Sequence, residues 1–182
     1  MPNFVEKLKI AADDYNAALR DKFVEKDNKQ SSFVQAYANF AKNSLTTAGL
    51  LFDITNDKTR RDAMKVDDSY NGNMWVIVSS YFSMFYMASA LLAKKNLKVG
   101  RVDTHKHVKN AFLHVYIANH ALDNALGIDY MESKEIAEDL MAERDKRSKY
   151  QYDVGAKALQ TDAELSLKRA RNFFDKARPM VK

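Results

Sequence analysis

Residues 74–93, MWVIVSSYFSMFYMASALLA, form a run of 20 without a single charged side chain. A segment of this length has two physical outlets. It can span a bilayer, or it can be the central helix of a bundle, apolar on all sides because neighbours cover all sides. Four serines (Ser79, Ser80, Ser83, Ser89) and two tyrosines (Tyr81, Tyr86) weaken its hydropathy, and charged amphipathic segments stand on either side of it. This pattern predicts burial within a bundle and no membrane association.

The remainder of the chain is short of helix breakers: 5 glycines and 2 prolines, with Pro2 and Pro179 both at the ends. Apolar residues recur at helical spacing over residues 3–27, over 32–52 after a cap at Ser31 or Ser32, and over 73–96. Further helices are expected over 104–126, closed near Gly127, over 133–155 with Ser133 as cap, and from Thr161 onward. There, Thr161 and Glu164 have the capping-box spacing. Residues 57–73 read as a connection with a short helical piece around 61–65. The expected fold is all-α: a single domain over 1–182, built as an antiparallel up-and-down bundle of five to six helices, with an N-terminal helical pair in 1–70 and the core in 73–178.

Composition narrows the chemistry. The absence of cysteine excludes disulfides, thiolate zinc sites and a cysteine nucleophile, and suits a reducing compartment. The opening MPNFVEKLKIAADD is charged too early to be a signal peptide, so a cytoplasmic location is expected. His107 and His114 share a helix face but lie two turns apart, with no carboxylate three or four residues on, so no metal site is expected. His105 and His107 are expected at the start of their helix, on a polar rim. Neither a glycine-rich phosphate loop nor a Gly-x-Ser-x-Gly elbow is present, and no cofactor is implied. The formal net charge is +5, and residues 141–182 hold the excess, with 11 Lys+Arg against 6 Asp+Glu. Such asymmetry fits an anionic partner, or a solvated basic face.

The most informative stretch is RDKRSKYQYD, residues 144–153. At 100° per residue, Ile136, Ala137, Leu140 and Met141 define an apolar stripe, and Arg144 projects to its middle. Arg147, Ser148, Gln151, Tyr152, Val154 and Gly155 continue that side. A guanidinium withdrawn from water needs an anionic or hydrogen-bonding partner. That partner is either an acid on a neighbouring helix or a ligand; otherwise the side chain snorkels to solvent. Arg144 and Arg147 could clamp a phosphate, Tyr152 could stack on a base, and Gln151 could read a polar edge. Tyr150 projects toward the flank.

The runs WVIVSSYFSMFYMASALLAKKNLKVGRVDTHKHV, AEDLMAERDKRSKYQYDVGAKAL and AELSLKRARNFFDKAR together resemble a HEPN domain, over roughly residues 73–176. The resemblance implies an all-helical bundle, usually a homodimer, whose motif-bearing helices face a shared cleft. Many such proteins are metal-independent ribonucleases, often toxins paired with a nucleotidyltransferase antitoxin. Their motif is an arginine followed four to six residues later by a histidine. In one branch, a tyrosine two positions beyond that histidine is modified with AMP. Arg144 matches the arginine and Tyr152 the modified tyrosine, whereas Tyr150 stands where the histidine would fall. Arg144 and Tyr150 are thus the candidate catalytic residues. An unperturbed tyrosine titrates near ~10, far from the pH at which histidine exchanges protons. The resemblance therefore implies binding of RNA or nucleotide through Arg144, Arg147, Gln151 and Tyr152 without efficient catalysis. The alternatives are a ribonuclease whose proton-transfer group is Tyr150 or a histidine from elsewhere, and a structural assembly module whose arginines are paired internally.

Overall fold

The computed structural model describes residues 2–153 and 155–181; Val154, placed by its spacing on the Arg144 stripe, lies outside them. The fold is all-α. Eight packed α-helices are described: α1 (Phe4–Arg20), α2 (Val34–Asn56), α3 (Lys58–Met64), α4 (Asn73–Lys94), α5 (Thr104–Phe112), α6 (Ala121–Leu126), α7 (Tyr130–Tyr152) and α8 (Gln160–Ala177).

The uncharged segment is α4, and it is the axis of the bundle. Its most apolar 18-residue window has a mean hydropathy of 1.6 and is 83% buried among the other helices. Its most extensive packing is against α2, followed by α8 and α7. Small side chains permit this close approach: Ala41 and Ala48 on α2, Ala88 and Ala90 on α4 and Ala170 on α8 are fully enclosed. The Ser89 hydroxyl donates to the Phe85 carbonyl at 2.9 Å, one of the ways a polar residue is accommodated inside an apolar helix.

Several boundaries differ from those expected. The first helix stops at Arg20 because Lys22 takes a left-handed conformation (φ 58°), and the chain then runs extended as β1 (Val24–Lys26). β1 pairs antiparallel with β2 (Leu97–Val99), Val24 opposite Val99, in a two-stranded ribbon that helical periodicity did not reveal. The helix expected over 104–126 is interrupted. A π-helical turn over Leu113–Ala118 and a left-handed His120 (φ 54°) separate α5 from α6, while Gly127 closes α6 with φ 65° as expected.

The caps also move. Asp129, not Ser133, caps α7, accepting from the Glu132 N–H at 2.8 Å, and Ser133 lies one turn inside, fully buried. The Thr161–Glu164 box does not form, since α8 starts at Gln160 with Leu159 at its cap. Ser31 and Ser32 fall within a 3₁₀ turn that precedes α2. A capping box does form at α1, between Asn3 and Glu6.

Candidate functional site

The buried face of α7 follows Ser133, Ile136, Leu140, Glu143 and Tyr150, with Arg147 half-buried between the last two. These positions are spaced alternately three and four residues apart, the spacing of a heptad seam. A straight 3.6-residue projection drifts by about 20° per heptad from such a seam. That drift is small: Glu143, one heptad after Ile136, projects only about 20° from it, and its charge hid it, while Ala137 and Met141 drew the projected centre round to Arg144. Glu143 is completely enclosed, its carboxylate accepting from Lys146 Nζ at 2.9 Å and from the Arg169 guanidinium at 3.0 Å. Lys146 also reaches the Ser166 hydroxyl at 3.0 Å, and Arg169 pairs with Asp139 at 2.6 Å. This ionic cluster fastens α7 to α8.

Arg147, on that seam, and Arg144 beside it are both half-buried and face the first turn of α5. Together with Arg101, Asp103, Thr104, His105, Lys106 and Ser148 they line a cleft of about 410 Å³. Arg144 has one carboxylate neighbour, the adjacent Asp145 at 3.3 Å, whose side chain is 77% exposed. Arg147 has no carboxylate partner among the described residues. Its guanidinium packs instead against aromatic rings, 5.9 Å from the centroid of Tyr81, 5.6 Å from Phe82 and 5.2 Å from Tyr152. Its Nε is buried and unpartnered.

The crowding of cations is visible in how the neighbouring groups titrate. Burial first, then Arg147 and Arg144, hold His105 below its ordinary value of 6.5. Burial, then Arg144, likewise lower Lys109, one turn further along α5. The Tyr81 hydroxyl lies 2.9 Å from His105 Nδ1, and burial keeps that phenol protonated. Tyr81 is enclosed and has no other hydrogen-bond partner among the described residues, so its O–H donates to Nδ1. In neutral His105 the proton then sits on Nε2. The ring can donate a hydrogen bond there, but neither nitrogen has a free lone pair with which to act as a base.

Because the folded-state pKa of His105 is depressed, the unfolded chain binds its proton more readily. The stability that this residue confers is complete above pH 6.5 and declines as the pH falls from there through the folded-state value. NMR titration of the His105 ring is expected to give a midpoint below 6.5, moving upward when inorganic phosphate is added. A midpoint at or above 6.5 in phosphate-free buffer would contradict the desolvated, cation-flanked setting.

The other candidates divide. Tyr150 is 8% exposed, and its hydroxyl donates to Asp162 at 2.7 Å. That hydrogen bond is the main reason its pKa is raised, which leaves Tyr150 a clamp between α7 and the start of α8. Tyr152 is exposed at the end of α7, beneath the Arg147 guanidinium. Gln151 is half-buried, with its side-chain oxygen unpartnered, and does not line the cleft. His105 reaches the arginines, whereas His107 stacks on Phe23 at 5.2 Å and His114 on Tyr15 at 4.8 Å. Among the described residues no group of histidines and carboxylates is arranged to hold a metal ion. Sequence spacing offered no means of placing His105 beside Arg144, because the two come from different helices. Comparison with protein-family models, curated proteins and solved structures found no match.

Proposed function

We propose that the cleft between α5 and α7 binds a phosphate of RNA or of a nucleotide through Arg144 and Arg147, with the Nε2–H of His105 as a third donor. The observation that carries this reading is the balance of charge. Four cations, Arg101, Lys106 and the two half-buried arginines, share the cleft with His105 and a single carboxylate, Asp103, and among the described residues the one carboxylate paired with either α7 arginine is the exposed Asp145. An assembly module with internally neutralised arginines would need an acid from a neighbouring helix against them. Here the acids of the α7–α8 contact, Glu143 and Asp139, are taken by Lys146 and Arg169. A phosphate would relieve the mutual repulsion of Arg144, Arg147 and Lys109, and bidentate guanidinium–phosphate bonds would orient it.

The resemblance to HEPN domains extends the proposal to a homodimer, with the clefts of two subunits facing each other. It extends it also to a nucleotidyltransferase partner that modifies the exposed Tyr152. Binding without efficient cleavage is the preferred form of the proposal. The Tyr150 proton is engaged by Asp162, and both nitrogens of His105 are committed in its neutral form. A metal-independent ribonuclease is the second reading, favoured by the presence of His105 in the cleft. It requires cyclic-phosphate RNA ends formed in EDTA and lost in His105→Ala.

The test of the first reading is titration of AMP and of a single-stranded octaribonucleotide at low salt, in wild type and Arg144→Glu. The variant is expected to weaken both ligands by more than tenfold. Its circular dichroism melt should remain close to wild type, because Arg144 gives up only an exposed ion pair. Unchanged affinity for both ligands would remove the arginine cleft from the binding site.

A further inference from the structure

From Met74 to Ala93, the side chains of α4 that are not buried are Met74, Trp75, Ser79, Phe82 and Tyr86. The last four are spaced four, three and four residues apart, so they stand in one row along a single face of the helix, about 16 Å long at 1.5 Å per residue. This is the one face of the axial helix that its neighbours leave open. Ser79, Phe82 and Tyr86 of this row form the floor of a groove of about 370 Å³ whose other wall is α2, with Phe40, Asn43, Ser44 and Thr47, and Trp75 stands one turn before it.

The rings in this groove are arranged for stacking. Phe82 and Tyr86 are nearly parallel, 5.8 Å apart at 28°, and Phe40 leans on Tyr86 at 5.4 Å. Phe40 is 52% exposed and Trp75, the single tryptophan of the chain, 48%. Phe82 of the groove touches the arginine cleft through Arg147, whose guanidinium stands 5.6 Å from its ring. A chain of contacts thus leads from Tyr152 through Arg147 and Phe82 to Tyr86 and Phe40, with a cation set between aromatic faces.

We propose that this face of α4 is a base-stacking platform for single-stranded nucleic acid: a phosphate sits on Arg144 and Arg147 while the adjoining bases lie on Phe82, Tyr86 and Phe40. The proposal rests on the arginine cleft as a phosphate site and names the class of ligand that reaches it. Two features select this occupant. Through the Arg147–Phe82 contact the groove adjoins a cationic cleft, which complements a polyanion, and its rings are edged by Ser79, Asn43, Ser44 and Thr47, hydrogen-bonding groups suited to base edges. A duplex keeps its base faces stacked on each other and cannot use such a platform.

The experiment compares a single-stranded octaribonucleotide, its blunt duplex and AMP on wild type, Phe40→Ala and Arg144→Glu, following ligand anisotropy and Trp75 fluorescence. The octamer is expected to change the Trp75 emission and to bind more tightly than either AMP or the duplex. Phe40→Ala should weaken the octamer by about tenfold, within the range found for loss of one stacking ring, and leave AMP unaffected. Phe40 is half-exposed and does not line the arginine cleft, so its loss tests the platform without removing the cleft or the core.

If Arg144→Glu abolishes binding of both ligands while Phe40→Ala alters neither, the platform is wrong and the phosphate cleft stands. Should Arg144→Glu leave both ligands bound, the cleft falls and the platform with it. Equal affinity for duplex and single strand would overturn the platform. So would a Phe40→Ala variant that dissociates a wild-type oligomer without weakening the octamer, since that face would then be covered by a second copy.

Discussion

Replacing Glu143 with alanine is expected to destabilise the fold by about 3 kcal/mol, the range found when one partner of a buried ion pair is removed. The carboxylate is fully enclosed and holds Lys146 and Arg169 at 2.9 and 3.0 Å, so its loss leaves two cations facing an apolar gap between α7 and α8. Both cations keep a second contact, Lys146 with Ser166 and Arg169 with Asp139, and both retain some access to water. These contacts keep the cost below that of a fully stranded charge. Urea denaturation of Glu143→Ala and Glu143→Gln checks the point. The amide should cost less than the alanine because it keeps an acceptor in place, and a loss under 1 kcal/mol for alanine would mean that the cluster contributes little.

Phe112→Ala is expected to cost more, about 3–5 kcal/mol, with the cavity adding to the lost transfer free energy. Phe112 is completely buried at the end of α5, where the helix widens into the π-turn. Its ring lies between two others, 5.7 Å from Tyr116 and 5.6 Å from Phe173 of α8. The gap would loosen the contact that positions Tyr116, whose buried hydroxyl donates to the Leu91 carbonyl of α4 at 2.7 Å. One side chain thus joins α5, α8 and, through Tyr116, the axial helix. A melting temperature within a few degrees of wild type would show that neighbouring side chains collapse into the space.

The helical elements were legible because their signals are local. The run 74–93 could be buried only if other helices covered it, and its serines and alanines permit the close packing seen with α2 and α8. Gly127 closes its helix as its freedom at positive φ suggests. Features that depend on partners distant in sequence were not legible. The β1–β2 ribbon joins residues more than 70 positions apart, and neither strand is long enough to show an alternating pattern. Competing caps such as Asp129 over Ser133 are decided by which residue lands at the helix boundary, and that depends on the packing of the whole helix.

The candidate site divides along the same line. By itself the sequence determined that residues 141–182 are cationic and that Arg144, Arg147 and Tyr152 lie close together on one helix, because charge and helical spacing are properties of adjacent residues. Only the tertiary structure decided which of these cations are neutralised. It gave Glu143 and Asp139 to Lys146 and Arg169, gave Tyr150 to Asp162, and left Arg144 and Arg147 facing His105 and the open aromatic face of α4. The physical reason is that a charge is satisfied by what stands within a few ångströms of it in space, and apart from Lys146, which meets Glu143 on α7 itself, those partners come from other helices.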